Sequence, residues 1–443
     1  MSEQKLTSFA TKIGLVMATA GSAIGLGNIW KFPYIAGENG GGAFLLVYLL
    51  CVLLFGLPLL MTELFIGKKS GKSAFGAFRA LRNNNRWQWL SWLCLLTAFL
   101  IMGFYFVVTG WCFHYLIGAA AHAFKGLDAI SLTEHFQALT SNHFALIGYS
   151  LLAVLLTAAV LWFDVNKGIE RISKILMPLL LIMMFVMVGR VLLLPGSKEG
   201  LHFFFNADFS KITPQVILSA MGQCFFSLSI GMGALITYGA YMPKTQNITQ
   251  TSLQVVVLDT AVAVLAGLII FPAVFAFGVD PTEGPKLVFV ILPAIFEQMS
   301  FAWFVSTLFF GLLCIAAVTS TISLMEVAVA FVLDASSTTR YPLDRRKSVI
   351  VVACIAMIMI SGCVFRQEIF TWSDTLSSCV LMPLNAFAMA LFVGWFLPKT
   401  DIQHEIGKQR GYKQYMANCY IQIVRYFIPL AILAIFLNGL GIW

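Results

Sequence analysis

Two short stretches interrupt apolar segments that are long enough to cross a bilayer. The first, GSAIGLGNIWKFP over residues 21–33, contains three glycines, an asparagine and a lysine. The second, GQCFFSLSIGMGALITYG over residues 222–239, places two serines and two glycines near its centre. Loosened backbone in a membrane persists only against protein or around a water-filled cavity. Freed N–H groups attract an anion and freed carbonyls bind a small cation, so the pair predicts a site for both.

Glycines in membrane helices also let two helices pack closely, and one glycine-rich stretch alone leaves that alternative open. Two such breaks favour the binding site. They fall in the first and sixth apolar segments, which are corresponding members of two five-span halves. Paired interruptions in corresponding positions are typical of transporters that bind substrate near the bilayer midplane.

The composition indicates what must hold these breaks in place. The chain has 443 residues, of which 59% are hydrophobic and 11% charged. About 20 apolar residues cross a bilayer as a helix, and about eleven segments qualify. They cover approximately residues 13–34, 44–66, 89–121, 144–162, 172–194, 214–238, 253–278, 301–333, 349–364, 375–396 and 420–443. The sequence therefore predicts an all-α polytopic membrane protein.

The basic residues predict the orientation. With the N-terminus inside, 20 of the 28 Lys and Arg residues fall in cytoplasmic segments. The positive-inside rule then places the N-terminus in the cytoplasm, and an odd number of spans places the C-terminus outside. This asymmetry accounts for the net charge of +8 without nucleic acid as a partner. We expect the protein in the plasma (inner) membrane.

A membrane enzyme is the rival class. Four of the six histidines lie between residues 114 and 143, and no HExxH pattern occurs. Metal catalysis needs ligands at such spacings. We therefore expect no enzyme activity.

Three stretches resemble one family. GSAIGLGNIWKFPYIAGENGGGAF, FFSLSIGMGALITYGAY and AAVTSTISLMEV resemble the first, sixth and eighth helices of neurotransmitter:sodium symporters, specifically the eleven-span bacterial amino-acid transporters. The resemblance implies one transmembrane domain over residues 1–443. It comprises two inverted five-helix repeats, at about 10–195 and 213–397, with helices 1 and 6 broken, and an extra helix at about 417–443.

The resemblance also implies a substrate site. Its members are Ala23, Gly25, Leu26, Gly27, Ile101, Tyr105, Phe226, Ser229, Met232, Ser320 and Leu324. Amides near Leu26 and Gly27, with the Tyr105 hydroxyl, would bind an α-carboxylate. Carbonyls of Ala23 and Phe226, with the region of Ser229, would face the α-amino group.

Two positions bear on the substrate class. Monoamine carriers of the family have an aspartate where this chain has Gly25, so glycine favours a substrate that brings its own carboxylate. Met232 replaces a bulky aromatic of the bacterial leucine transporter, and methionine adapts its shape readily. A larger hydrophobic or aromatic amino acid is therefore expected.

Two sodium sites follow from the same resemblance, and oxygen ligands suit such a hard cation. Site one comprises Ala23, Asn28, Ser227 and Asp259 with the substrate carboxylate. Site two comprises Gly21, Ile24, Ala316, Thr319 and Ser320. The alternative for VTSTIS, residues 318–323, is hydroxyls that bond back to their own helix.

Asp259 stands where the leucine transporter has an asparagine. A carboxylate within a span is costly and indicates function. We expect it to supply the charge that chloride provides in chloride-dependent relatives, so that transport needs no chloride. A proton taken up there in the return step is a further hypothesis.

Gates complete the expected set. Phe226 and Tyr105 would cover the substrate from outside, with Lys31 and Asp374 forming a charged outer latch. Interfacial snorkelling is the alternative for Asp374.

Supporting residues follow the same resemblance. Glu63 would bind loose backbone at the breaks. Asp334 matches the acidic member of the inner gate, although Leu6 stands where the family has arginine. Gly168 and Pro178 match a pair that lets the fifth helix unwind.

The function expected is sodium-coupled symport of a hydrophobic or aromatic L-amino acid into the cell by alternating access. The alternatives are a sodium-coupled carrier of a small amine or osmolyte, and a non-transporting amino-acid sensor. The bilayer and the amino acid are the expected partners. The sequence is silent on the identity of the amino acid and on the oligomeric state.

Overall fold

The structure is a computed structural model that describes residues 8–82, 85–282, 287–337, 339, 341–406 and 413–439. Its described residues form helices and connecting turns, with no β-strand among them. The helices are numbered in chain order. They are α1 (Lys12–Ala23), α2 (Gly27–Glu38), α3 (Gly42–Ser70), α4 (Ala74–Arg82), α5 (Gln88–Ala120), α6 (Ala129–Ser141), α7 (His143–Leu161), α8 (Asn166–Leu192), α9 (Ser197–Phe205), α10 (Pro214–Ser227), α11 (Ala234–Ala240), α12 (Ile248–Ala276), α13 (Leu287–Glu297), α14 (Ala302–Ser336), α15 (Arg345–Phe365), α16 (Gln367–Phe396), α17 (Lys399–Ile406) and α18 (Ala417–Ala434).

About eleven spans were expected, and the described residues support nine or ten. In the described part of the chain, nine helices are long and apolar enough to cross a membrane. The pair α1 and α2 adds a tenth span, bent by 47° at its break. Helices α10 and α11, each too short to cross alone, lie where the sequence predicts the sixth span. The division into two repeats with the stated boundaries stays a prediction.

The two breaks have different local causes. At the first, α1 ends at Ala23 because Ile24 turns to extended backbone with φ −72° and ψ 107°. At the second, Ser229, Gly231 and Gly233 have φ of 56°, 91° and 79°. These values lie in the left-handed region, which glycine adopts without a steric penalty. Helical hydrogen bonding therefore stops at both places.

The long helices α5 and α14 pack against each other through the middle of the molecule and are mostly buried. The outer faces of peripheral spans expose large apolar side chains, for example Leu155, Phe185 and Ile358. Extensive exposed apolar surface of this kind suits contact with lipid. Both breaks lie next to the buried centre, and Asn28 and Ser227 beside them are almost fully enclosed.

Helix α6, which the sequence analysis missed, packs over one end of α5. Its Phe136 ring contacts Trp111 edge-on and stacks on Phe289 with 12° between the planes. The Nε2 atoms of His114 on α5 and His135 on α6 lie 2.9 Å apart. One imidazole must donate and the other accept, so this bond needs at least one neutral ring.

Candidate functional site

One pocket brings together ten of the eleven predicted substrate residues. It lies between the two breaks and helices α5, α14 and α16, and its cavity volume is about 20 Å³. A cavity of this size holds about one water molecule, so the lining side chains must move apart to admit a substrate. The pocket is lined by Ser22, Ala23, Gly25, Gly27, Ile101, Tyr105, Phe226, Ser229, Met232, Ser320, Ser323, Leu324 and Met382. Sequence reasoning missed Ser22, Ser323 and Met382.

The remaining predicted residue, Leu26, contributes through its backbone. Its N–H donates to the Tyr105 hydroxyl at 2.9 Å, although its side chain is absent from the lining. A Cβ added to Gly25 would overlap the Ser320 hydroxyl and lie 2.6 Å from the Tyr105 hydroxyl. The break therefore gathers an amide and two hydroxyls around a position where only glycine fits.

The pocket lining contains both polar and apolar groups. Ser229 donates to the Ser22 carbonyl at 2.8 Å and so ties the second break to the first. The apolar members of the lining include Ile101, Leu324 and Met382. No lining side chain carries a charge.

Three of the four residues predicted for the first sodium site, Asn28, Ser227 and Asp259, are joined by hydrogen bonds, and the fourth, Ala23, lines the pocket. The Asn28 side-chain amide donates to Asp259 Oδ1 at 2.8 Å, to the Asp259 carbonyl at 3.1 Å and to Ser227 Oγ at 3.0 Å. Ser227 Oγ donates to Asp259 Oδ2 at 2.8 Å. Three oxygens thus converge on one electropositive NH₂ group. If the amide turned over, the Asn28 oxygen would join them, which is an oxygen set that fits sodium.

The residues predicted for the second sodium site make two kinds of contact: hydroxyl bonds back to their own helix, and a hydroxyl bond to the first break. Thr319 Oγ1 donates to its own helix, at 3.0 Å to the Ala316 carbonyl. Ser320 Oγ instead reaches the Ile24 carbonyl of the first break at 3.4 Å. A Cβ added to Gly21 would lie 3.5 Å from Thr319 Cβ, so all five predicted residues are neighbours. Hydroxyls and freed carbonyls face each other between α1 and α14.

Transition-metal chemistry has no comparable basis in the described part of the chain. It contains no group of three or more His, Cys, Asp and Glu side chains placed to hold a metal ion. The carbonyl, hydroxyl and amide oxygens suit a hard cation.

One side of the pocket is covered by the residues predicted to form the outer latch. Lys31 Nζ lies 3.0 Å from Asp374 Oδ1 and 4.2 Å from the centre of the Phe226 ring. Phe226 and Tyr105 form part of the lining beneath. An ion pair and a cation–π contact therefore join the first break, the second break and α16 above the pocket.

The second break is held from two sides. Glu63 Oε1 on α3 accepts from the Gly231 N–H at 2.6 Å, as the resemblance implied. Asn385 on α16, which was not predicted, donates to the Gly231 carbonyl at 2.6 Å and to Thr97 Oγ1 at 3.0 Å. Backbone groups freed by the break are thus satisfied by buried side chains.

At the opposite end of the pocket, the predicted Asp334 accepts from the backbone N–H and the hydroxyl of Ser73. Leu6 lies outside the described residues. Gly168 lies in the first turn of α8, where a Cβ would overlap the Val160 carbonyl, and Pro178 lies inside the same helix.

The structure also shows a charged network at that end which sequence reasoning missed. Arg345 makes two bonds to Glu326, at 2.7 and 3.0 Å, and the Tyr241 hydroxyl donates to Glu326 at 2.6 Å. The Tyr241 carbonyl accepts from the Phe9 N–H at 3.0 Å, which links this network to the segment before α1. A glutamate inside an apolar segment was the available signal.

Glu170 on α8 is a second missed residue. Its carboxylate accepts from the Ala10 N–H and the Thr11 hydroxyl, each at 2.7 Å, and pairs with Lys174 at 2.6 Å. The start of α1 is therefore tied to α8 beside Gly168.

A multi-pass helical protein with two facing broken helices around a buried pocket belongs to the class of secondary transporters. Comparison with known proteins agrees. The sequence model of the sodium:neurotransmitter symporter family matches residues 7–127 and 119–441. The chain belongs to this family of sodium-dependent transporters and is not an enzyme.

Two relatives match over nearly their whole length. The uncharacterized sodium-dependent transporter YhdH of Bacillus subtilis (strain 168) is 38% identical over 100% of this chain and 99% of its own. An uncharacterized sodium-dependent transporter of Haemophilus influenzae is 34% identical over 98% of each chain. The crystal structure of MhsT in complex with L-phenylalanine is 37% identical, with a TM-score of 0.89 over 97% of this chain and 99% of MhsT.

Proposed function

We propose that the protein couples sodium entry to the uptake of a hydrophobic or aromatic L-amino acid by alternating access. The observation that carries the proposal is the pocket lining. Its polar groups include the Tyr105 hydroxyl and the backbone of the first break, the rest of the lining is mostly apolar, and no lining side chain is charged. A zwitterion with an apolar side chain suits both kinds of group, because its carboxylate and amine can bind freed backbone groups.

The uncharged lining separates this proposal from a small-amine carrier. An amine without a carboxylate needs a side-chain counter-charge in a dehydrated pocket. Gly25 occupies the relevant position, and a larger side chain there would overlap Ser320. The structural neighbour MhsT was crystallised with L-phenylalanine, an amino acid of the proposed class.

We infer two sodium ions, at the Asn28–Asp259 group and between α1 and α14. Each charge moved down 100 mV releases about 2.3 kcal/mol. Two ions would therefore supply about 4.6 kcal/mol from the potential alone, which sustains a substrate gradient of roughly a thousandfold. Asp259 would supply the negative charge at the first site, so chloride would be unnecessary. The basic residues support an N-terminus in the cytoplasm and a C-terminus outside the plasma membrane.

The test is uptake by purified protein in liposomes, with an inward sodium gradient and with potassium in place of sodium. All twenty amino acids compete against a labelled hydrophobic one. Sodium-dependent accumulation blocked by Trp, Tyr, Phe or Leu is expected. Saturable binding without accumulation would favour a sensor, and uptake of betaine or another osmolyte without amino-acid competition would overturn the substrate class.

A further inference from the structure

One wall of the pocket is formed by α16, a helix in which the sequence analysis expected no substrate or sodium ligand. Met382 on α16 is fully buried and contributes to the lining. It follows a π-helical stretch, Leu376–Leu381. An extra residue in a helical turn changes which side chains face inward beyond it. Helix α16 therefore brings Met382 to the wall of the pocket.

The same helix also positions the neighbouring wall. A Cβ added to Gly231 would lie 2.5 Å from the Met382 carbonyl oxygen, so the two backbones are in direct contact. Asn385, one turn further along, holds the Gly231 carbonyl at 2.6 Å. The next residue after Gly231 is Met232, whose side chain also lines the pocket. Its backbone position is thus set by α16.

We propose that Met382 determines the size of the substrate side chain that this transporter accepts, with Met232 as its partner across the second break. This inference rests on the proposed amino-acid transport. Both thioethers are unbranched and polarizable, and sulfur makes favourable contacts with aromatic rings. They suit a pocket that takes several large apolar side chains.

Met382 is the better determinant of the two because of where its backbone lies. Met232 belongs to the non-helical segment, so changing it also disturbs a backbone held by Glu63 and Asn385. Met382 lies in a continuous helix, so shortening its side chain enlarges the pocket while both bonds to Gly231 remain.

The experiment measures sodium-dependent uptake of labelled leucine and its inhibition by tryptophan in proteoliposomes. Met382→Ala should raise the preference for tryptophan over leucine about tenfold, since one or two methylenes in an apolar pocket change selectivity by roughly 10–200-fold. Met382→Phe should shift the same ratio in the opposite direction. Met389→Ala is the matched control, because Met389 lies two turns along the same helix, equally buried, and outside the pocket.

Each outcome is decisive for one of the two proposals. If the unaltered protein takes up no amino acid with sodium, the proposed function fails. If it does, and the ratio stays within about twofold in both Met382 variants, the pocket role of Met382 is overturned. Met382→Val replaces the alanine variant if that variant does not purify as a folded protein, and the same direction of shift is required. A change equal to that of Met389→Ala also refutes the inference.

Discussion

Replacing Asp259 by asparagine removes one negative charge and changes the shape of the side chain little. In the structure its carboxylate is completely buried, accepts from Asn28 at 2.8 Å and from Ser227 at 2.8 Å, and has no cation beside it within that group. An unpaired buried carboxylate is costly, and a sodium ion would remove that cost. The substitution should therefore weaken sodium binding far more than it weakens folding.

The magnitude follows from Coulomb's law. Two unit charges about 4 Å apart interact by about 4 kcal/mol at an effective dielectric constant of about 20. Each 1.4 kcal/mol is a factor of ten, so the upper limit is roughly a thousandfold loss of sodium affinity. Desolvation of the carboxylate offsets part of this energy. We expect the half-saturating sodium concentration to rise at least about 30-fold.

The assay is amino-acid uptake against sodium concentration, with chloride or gluconate as the anion. The unaltered protein should give the same curve in both anions. Asp259→Asn should shift the curve, and chloride should restore part of the loss. Asp280→Asn serves as the control because the Asp280 carboxylate accepts from the backbone N–H and the hydroxyl of Thr282, within its own turn and away from the pocket lining. A shift below threefold for Asp259→Asn, or chloride dependence of the unaltered protein, would refute the reasoning.

Three further outcomes are expected. Gly25→Ala should lower substrate affinity at least about tenfold with the protein still folded, because the added Cβ overlaps the Ser320 hydroxyl. Equilibrium binding of substrate in the presence of sodium measures the affinity, and an unchanged value would contradict the prediction. Lys31→Gln removes an ion pair and a cation–π contact worth about 1 kcal/mol together, so labelled substrate should dissociate roughly fivefold faster. Burial lowers the pKa of His135, so a proton on this ring favours the unfolded state, and the stability is fully present above about pH 6.5 and declines as the pH falls toward the folded-state pKa. His135→Gln, which does not titrate, should therefore reduce the loss of Tm between pH 8 and pH 5; an unchanged pH dependence would exclude His135 as its source.

The spans and the two breaks could be predicted from the sequence because their causes are local. A run of apolar residues specifies a membrane helix, and glycines weaken one. Gly231 and Gly233 adopt positive φ at the second break, whereas the first break turns at Ile24, between Gly21 and Gly25. Helices α6 and α9 were missed since they are short, lie between spans and have mixed composition. Their hydrophobic side chains are buried by packing against the helices that they cover, and the sequence does not show that packing.

Most of the pocket was predictable through family resemblance, since motif residues keep their places along the chain. Met382 and Asn385 were not, because their contact with Gly231 joins segments about 150 residues apart. The same applies to Glu326 and Arg345, whose charges are visible in the sequence but whose pairing is not.

The sequence by itself determined that this protein crosses the membrane many times and that its first and sixth helices come apart, since hydrophobic content and glycine placement act within a few residues. Only the tertiary structure decided what meets the freed backbone. Asn28 reaches Asp259, Glu63 and Asn385 hold Gly231, and Lys31 covers Phe226. Such partners are selected by packing between distant helices, because every polar group buried away from water must find one.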